Sequence, residues 1–450
     1  MPATAPSSAA GAVVPLMSAI ADTGRDARRG GYTRPVFTSS ELELREWFTA
    51  EASSRGLAVE TDANGLIWAW WDLPATKDDA GARPGAGARA GGAPASSPDP
   101  RRGALVTGSH LDSVPGGGAF DGPLGVASAL AAFDELRARE AAGSLERHRA
   151  FAIAVFPEEE GSRFGVACLG SRLLTGAIDP ARALALRDAD GTTFADAARA
   201  HGLDPDRMGR DEAALARIGD FIELHVEQGR GLNTEEFTDH AGRGPALAVG
   251  SAILGHGRWR LSVSGQGNHA GTTLMEDRAD PLVAAAQMVL AVRQAARAQD
   301  GARATVGRLE PVPGGTNVIA SRVDFWLDVR HPDDAVTAAL VERIHGQAQK
   351  IAAFEGCTVA LTEESYSGTV HFDPALQRSL QRSVGRVSPG APLLDTGAGH
   401  DAGVLSSEVP TGMLYVRNPS GISHAPEEHV EDADAVAGAL ALADALEELL

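Results

Sequence analysis

Apolar and polar positions divide the chain into blocks with different periods. Residues 41–56, ELELREWFTAEASSRG, carry a helical period that stops at Gly56. The next fifteen residues, LAVETDANGLIWAWW, read as two strands around the turn Asp62-Ala63-Asn64-Gly65. Residues 75–103 are rich in Gly, Ala and Pro and show no hydrophobic period, so a flexible surface insertion between two strands is predicted there. From Ala104 the texture changes. ALVTGSHLDS is a buried strand running into a polar loop, GVASALAAFDELRARE a helix, and RAFAIAVFPEEEG a second buried strand ending in acids. That rhythm predicts an α/β domain with a mostly parallel sheet, whose ligands bind beyond the carboxyl ends of the strands.

Residues 254–365 follow another pattern. HGRWRLSVSGQG alternates as a strand, and DPLVAAAQMVLAVRQAARAQ is a long helix. RATVGRLEP and SRVDFWLDVR are strands, DAVTAALVERIHGQAQKIAAFEG is a helix, and CTVALTEES is a strand. The order β-α-β-β-α-β predicts a ferredoxin-like unit. It is expected to be an insertion, because α/β character returns afterwards and ends in a helix over 432–450. The expected division is therefore 1–253 with 366–450 as one domain and 254–365 as the other.

Composition narrows the function classes. With 450 residues and 43% hydrophobic content, the chain can bury a large core. Its formal net charge of -20 disfavours nucleic acid and anionic membranes as partners. The N-terminal segment has no basic region before its apolar stretch, and no apolar run reaches membrane-spanning length, so a cytoplasmic protein is expected. The two cysteines, Cys168 and Cys357, form no CxxC pair, so any metal must be held by His, Asp and Glu.

Candidates for such a site stand near strand ends. In GSHLDSVPGGGAFDG, His110 follows a buried strand and Asp121 comes eleven residues later. Gly116, Gly117 and Gly118 let the backbone turn back toward His110. Asp112 falls on the same side of an extended segment as His110 and is suited to hold its ring. FPEEEGSRFG places three acids in a row. Two neighbouring carboxylates can divide the work, one binding metal and the other moving a proton, but spacing does not say which does which. DFIELHVEQG offers His225 with Glu223, Glu227 and Gln228, and RNPSGISHAPEEH offers His424. GAGHDAG supplies His400 and Asp401; it looks like a phosphate loop only superficially, since no lysine follows. Together the set suits a pair of divalent ions, zinc or manganese, with cobalt or nickel also accommodated.

HLDSVPGGGAFDG, EEEGSRFG, ELHVEQG, GNHAGTT, GGTNVIASRVDFWLDVR, GAGHDA and GISHAPEE together resemble the N-carbamoyl-L-amino-acid hydrolase and allantoate amidohydrolase family. That family is a branch of the co-catalytic metallo-aminoacylases and exopeptidases. The resemblance implies a zinc-exopeptidase-like α/β catalytic domain with an inserted ferredoxin-like lid and dimerisation domain. It implies two divalent ions per subunit, one on His110 and His225, the other on Glu160 and His424, bridged by Asp121. It makes Glu159 the general base, and His269, Gln228, Asn317 and Arg330 the contacts to substrate. It further implies a homodimer in which His269 reaches a neighbouring active site, and a small ureido acid as the substrate, cleaved with release of ammonia. Glu158, Ser113, Ala320 and the segment GRGLNTEEF depart from the common pattern without removing a ligand. The competing readings are an aminoacylase or dipeptidase of the wider group, which His225 and EEEGSRFG argue against, and an inactive scaffold, which would lack a ligand or the base.

Overall fold

The computed structural model describes residues 8–74, 99–238 and 243–450. Most of the insertion expected at 75–103 therefore lies outside the described residues. The chain forms two compact units, Met1–Ser251 with Phe372–Leu450, and Ala252–His371.

The first unit is organised by a nine-stranded mixed sheet, of which only Ala252–Ile253 and Val370–His371 fall within the bounds of the second unit. Its strands are β1 (Ala58–Thr61), β2 (Ile67–Trp71), β3 (Ala104–His110), β4 (Phe151–Phe156), β5 (Ile218–Val226), β6 (Leu247–Ile253), β13 (Val370–His371), β14 (Leu393–Thr396) and β15 (Thr411–Val416). The order is β1-β2-β4-β3-β5-β15-β6-β13, with β14 also paired to β6. The central strands β4, β3, β5 and β15 run parallel, and antiparallel pairs flank them. Every residue of β3, β4 and β15 is buried, as a parallel sheet covered on both faces requires. The helices Pro123–Ala141 and Asp432–Leu449 pack against each other over it, with Leu130, Phe133, Leu442 and Leu446 in the shared core.

Local chemistry explains the boundaries nearest the site. The β1–β2 hairpin turns where expected: Asp62 Oδ1 accepts from the backbone N–H groups of Asn64 and Leu66, and Gly65 sits at φ +86. Gly122 stands at φ +84, immediately before Pro123 at the helix start. A Cβ there would lie 2.5 Å from the His110 ring, so only glycine lets the chain pass behind that imidazole.

The second unit is a four-stranded antiparallel sheet of β7 (Gly255–Ser264), β9 (Arg303–Val312), β11 (Arg322–His331) and β12 (Thr358–Ser367), in the order β12-β7-β11-β9. The helices Pro281–Arg297 and Asp334–Phe354 cover it, capped by Asp280 and Asp333. Leu261, Val263, Met288, Phe325, Leu340 and Ile344 form its core. This is the β-α-β-β-α-β order expected. A two-stranded ribbon, β8 (Asn268–His269) with β10 (Val318–Ile319), completes the unit.

Candidate metal centre

Adjacent parallel strands and the loops that follow them deliver the site. His110 ends β3 and His225 lies near the end of β5, the next strand in the sheet. Their Nε2 atoms face each other at 3.4 Å. The Nδ1 atom of His110 lies 3.1 Å from the carbonyl of Asp112, and that of His225 lies 2.9 Å from the carbonyl of Val226. A carbonyl only accepts, so each Nδ1 carries a proton and each Nε2 faces inward. Burial alone would lower both histidines, but Glu159 and Asp112 raise His110 and Asp121 raises His225, so a cation entering here would displace protons from the two Nε2 atoms.

Asp121 reaches this point from the glycine-rich loop. Its Oδ1 lies 3.3 Å from His225 Nε2 and 3.6 Å from His110 Nε2, while its Oδ2 lies 3.5 Å from His424 Nε2. Glu160 Oε2 is 3.4 Å from the same His424 nitrogen. Among the described residues three groups of potential ligand atoms result, each with its atoms within 4.8 Å of one another: one is Glu223, His225 and His400, and the other two are His110, Asp121 and His225, and Asp121, Glu160 and His424. Asp121 is common to both. This donor set of imidazoles and carboxylates, with its shared carboxylate, fits a binuclear site for divalent ions.

Electrostatics points the same way. Burial raises Glu159 well above its ordinary value, opposed by His110 and reinforced by Glu160 and Asp401. Burial and the charge of Asp121 raise Glu160 likewise. Asp121 moves the other way: burial alone would raise it, but the hydrogen bond and charge of His225, with His110 and His424, hold it low. The acids thus compete for protons that bound cations would displace.

Glu159 is buried, its Oε2 3.7 Å from His110 Nε2 and its Oε1 approached by the Cys168 thiol at 3.6 Å. Asp112 braces the turn that carries both acids, since its two oxygens accept from the backbone N–H groups of Glu159 and Glu160, each at 3.2 Å. Its expected hold on His110 runs mainly through its backbone carbonyl, the carboxylate being 3.6 Å from the ring. Gln228 Nε2 donates to Asp121 Oδ2 at 3.0 Å. Glu158, Cys168 and His424 all have left-handed backbone, with φ between 54 and 56. Such conformations cost of order 1–3 kcal/mol in non-glycine residues and persist only where surrounding packing enforces them.

A profile of the peptidase family M20/M25/M40 matches residues 106–448. The chain is 32% identical over 411 residues to the N-carbamoyl-L-amino acid amidohydrolase of Geobacillus stearothermophilus, covering 91% of each chain. It is 34% identical over 399 residues to the N-carbamoyl-L-amino-acid amidohydrolase of Paenarthrobacter aurescens, covering 88% of each. The crystal structure of a hydantoinase/carbamoylase family amidase from Burkholderia multivorans superimposes with a TM-score of 0.78 at 29% identity, covering 98% of this chain and 97% of that one. This chain belongs to the hydantoinase/carbamoylase-type amidases of the M20 family.

In this amidase His400 joins the centre, a residue that sequence reasoning named but left outside the site. Its ring lies 4.5 Å from that of His225, and its Nδ1 is buried with no hydrogen-bond partner, 3.9 Å from Glu159 Oε1. Burial and the charge of His225 keep it well below the usual imidazole range, hence neutral. Behind it, Ser171 Oγ donates to Asp401 Oδ1 at 2.5 Å, and Glu223 is held by Ser109 and the backbone N–H of Ala402. Only the histidine and acid of GAGHDAG hinted at this.

The other expected substrate contacts belong to the second unit. His269, on β8, and Asn317, in the turn before β10, are both exposed, and Ala270 N–H donates to the Asn317 carbonyl and Gly271 N–H to His269 Nδ1. Arg330, on β11, grips both oxygens of Asp328 at 2.8 and 3.1 Å.

Proposed function

We propose that this amidase hydrolyses the C–N bond of a small linear ureido acid, an N-carbamoyl-L-amino acid or allantoate, and releases ammonia. It is a hydrolase of non-peptide C–N bonds. The observation that carries the reading is the convergence of His110 Nε2 and His225 Nε2 on Asp121, with a buried carboxylate, Glu159, alongside. The names of its relatives support the ureido class of substrate.

In this reading His110 and His225 would hold one ion and Glu160 and His424 the other, with Asp121 as the carboxylate common to both, and the ions would supply Lewis acidity. Glu159 takes a proton from the attacking water and passes it to the departing nitrogen, so that water adds to the ureido carbon, the C–N bond breaks and ammonia leaves. Burial raises Glu159, and cations held beside it would oppose that rise, leaving a carboxylate that can accept the proton and return it. Cys168 and Asp112 keep its carboxylate and backbone in place. Gln228 holds Asp121 and faces substrate. Arg330 exchanges Asp328 for the substrate carboxylate, which its planar guanidinium grips bidentately. Asn317 and His269 donate to the oxyanion. The second unit acts as lid and dimerisation domain. The reading includes a homodimer in the cytoplasm, and the unbridged cysteines suit that reducing compartment. Among the described residues no helix is long and apolar enough to cross a membrane.

The test is an ammonia-release screen of manganese-loaded protein against allantoate, several N-carbamoyl-L-amino acids and one N-acetyl amino acid. Ammonia from a ureido acid is expected; hydrolysis of the N-acetyl compound alone would overturn the reading. In the same assay Glu159→Gln should keep its metal and lose roughly 10²–10⁴ in turnover.

A further inference from the structure

His424 is the least enclosed of the five expected ligands. Its side chain is 49% exposed, whereas those of His110, Asp121, His225 and Glu160 are at most 5% exposed. A backbone carbonyl fixes the Nδ1 of His110 and of His225, and among the described residues none does so for His424. The His424 backbone stands at φ +56, a conformation that its neighbours must enforce.

Glu428 supplies that hold. It follows His424 in the same loop and is 4% exposed. Its Oε2 accepts from Ser423 Oγ at 2.9 Å, and its N–H donates to the Ala425 carbonyl at 3.1 Å, so it is tied to the residues on either side of His424. Its side chain also lies against Gly118, in the loop that bears Asp121. A Cβ on Gly118 would stand 2.2 Å from Glu428 Oε1 and 2.5 Å from its Cβ and Cδ, so only glycine leaves room for this carboxylate. The next residue, His429, meets Phe120 edge-on with ring centroids 5.9 Å apart, and Phe120 immediately precedes Asp121. Glu428 Oε1 is buried without a hydrogen-bond partner, a cost that an apolar side chain would avoid. Stability alone does not account for an acid here.

We propose that Glu428 is a positioning residue for the second ion, the one expected on Glu160 and His424. Seated on Gly118 and bonded to Ser423, it locks the His424 turn to the Asp121 loop and so sets the 3.5 Å approach of His424 Nε2 to Asp121 Oδ2. His110 and His225 stand on strands and do not depend on it. The proposal rests on the ligand assignment given above and not on the identity of the substrate.

Titration of the metal-stripped full-length protein with manganese(II), with elemental analysis of the loaded product, tests it. The wild type should take up two ions per chain. Glu428→Ala should bind the second ion about 10–100-fold more weakly, the scale for a ligand that loses its support, and the first as before. Gly118→Ala, which displaces the carboxylate from the other side of the contact, should do the same. Glu428→Gln keeps the shape and an acceptor for Ser423, and should bind both ions as the wild type does. Wild-type affinity for both ions in Glu428→Ala, or equal weakening of both, would overturn the proposal. A loss in Glu428→Gln as large as in Glu428→Ala would also overturn it, assigning the effect to charge rather than placement. If Glu428→Ala does not fold, Gly118→Ala decides: undiminished affinity for the second ion refutes the proposal. A wild type that takes up fewer than two ions would overturn the ligand assignment itself, and the proposal with it.

Discussion

The metal centre and the β8–β10 ribbon carry residues of one expected reaction, yet they are built differently. His110, Asp121 and His225 are at most 2% exposed, and several partners hold each of them. His269 is exposed on a strand two residues long, Asn317 is exposed in the turn before the other strand of that ribbon, and Arg330 is committed to Asp328. Ion ligands must stand ready before an ion arrives, because any looseness is lost affinity. Substrate contacts can be completed when the substrate arrives, so a lightly held ribbon suffices for them.

Asp121→Ala should have the largest effect, removing the one carboxylate common to both ligand groups. Metal content by elemental analysis should collapse for both ions, and ammonia release with it; retention of both ions would break the comparison. Asn317→Ala should leave metal content unchanged and lower turnover by about 10²-fold, the scale for an oxyanion donor. Loss of metal in that variant would mean that the two regions are not separable. Arg330→Lys should raise KM by about tenfold with a smaller effect on kcat, because a lysine cannot reproduce the paired hydrogen bonds. Ser171→Ala should affect activity least. It leaves Asp401 without its hydroxyl donor and should destabilise the fold by about 1–3 kcal/mol in chemical denaturation.

The same contrast governs what the sequence discloses. Strands buried on both faces write unbroken apolar runs, and polar residues at their ends stand out; His110, Glu159, Glu160 and His225 are legible for that reason. The ferredoxin-like unit is legible because its strands and helices are long enough to display their periods. Between Gly161 and Arg217 the chain forms the helices Leu169–Thr175, Pro180–Ala185, Phe194–Ala200 and Glu212–Arg217, around a small core containing Phe164, Leu173 and Phe194. None is longer than two turns, so no period announces them. His400 stays unassigned because it precedes a five-residue helix rather than ending a strand, and only the docking of that helix beside β15 and β5 brings it to His225. Glu159 and Glu160 cannot be told apart by spacing. Their difference is one of direction, Glu159 toward His110 and His400 and Glu160 toward His424.

The two ligand groups draw on β3, its following loop, the turn after β4, the end of β5 and the loop after β15. No early fragment of the chain contains either group complete: the first needs His225, and the second waits for His424. Parallel strands separated by long crossovers also pair slowly. Metal capture is therefore a late event in folding, and ion uptake followed during refolding should lag the appearance of secondary structure. Bound ions then act as a clasp on a finished chain, resisting its reopening in proportion to how tightly they are held.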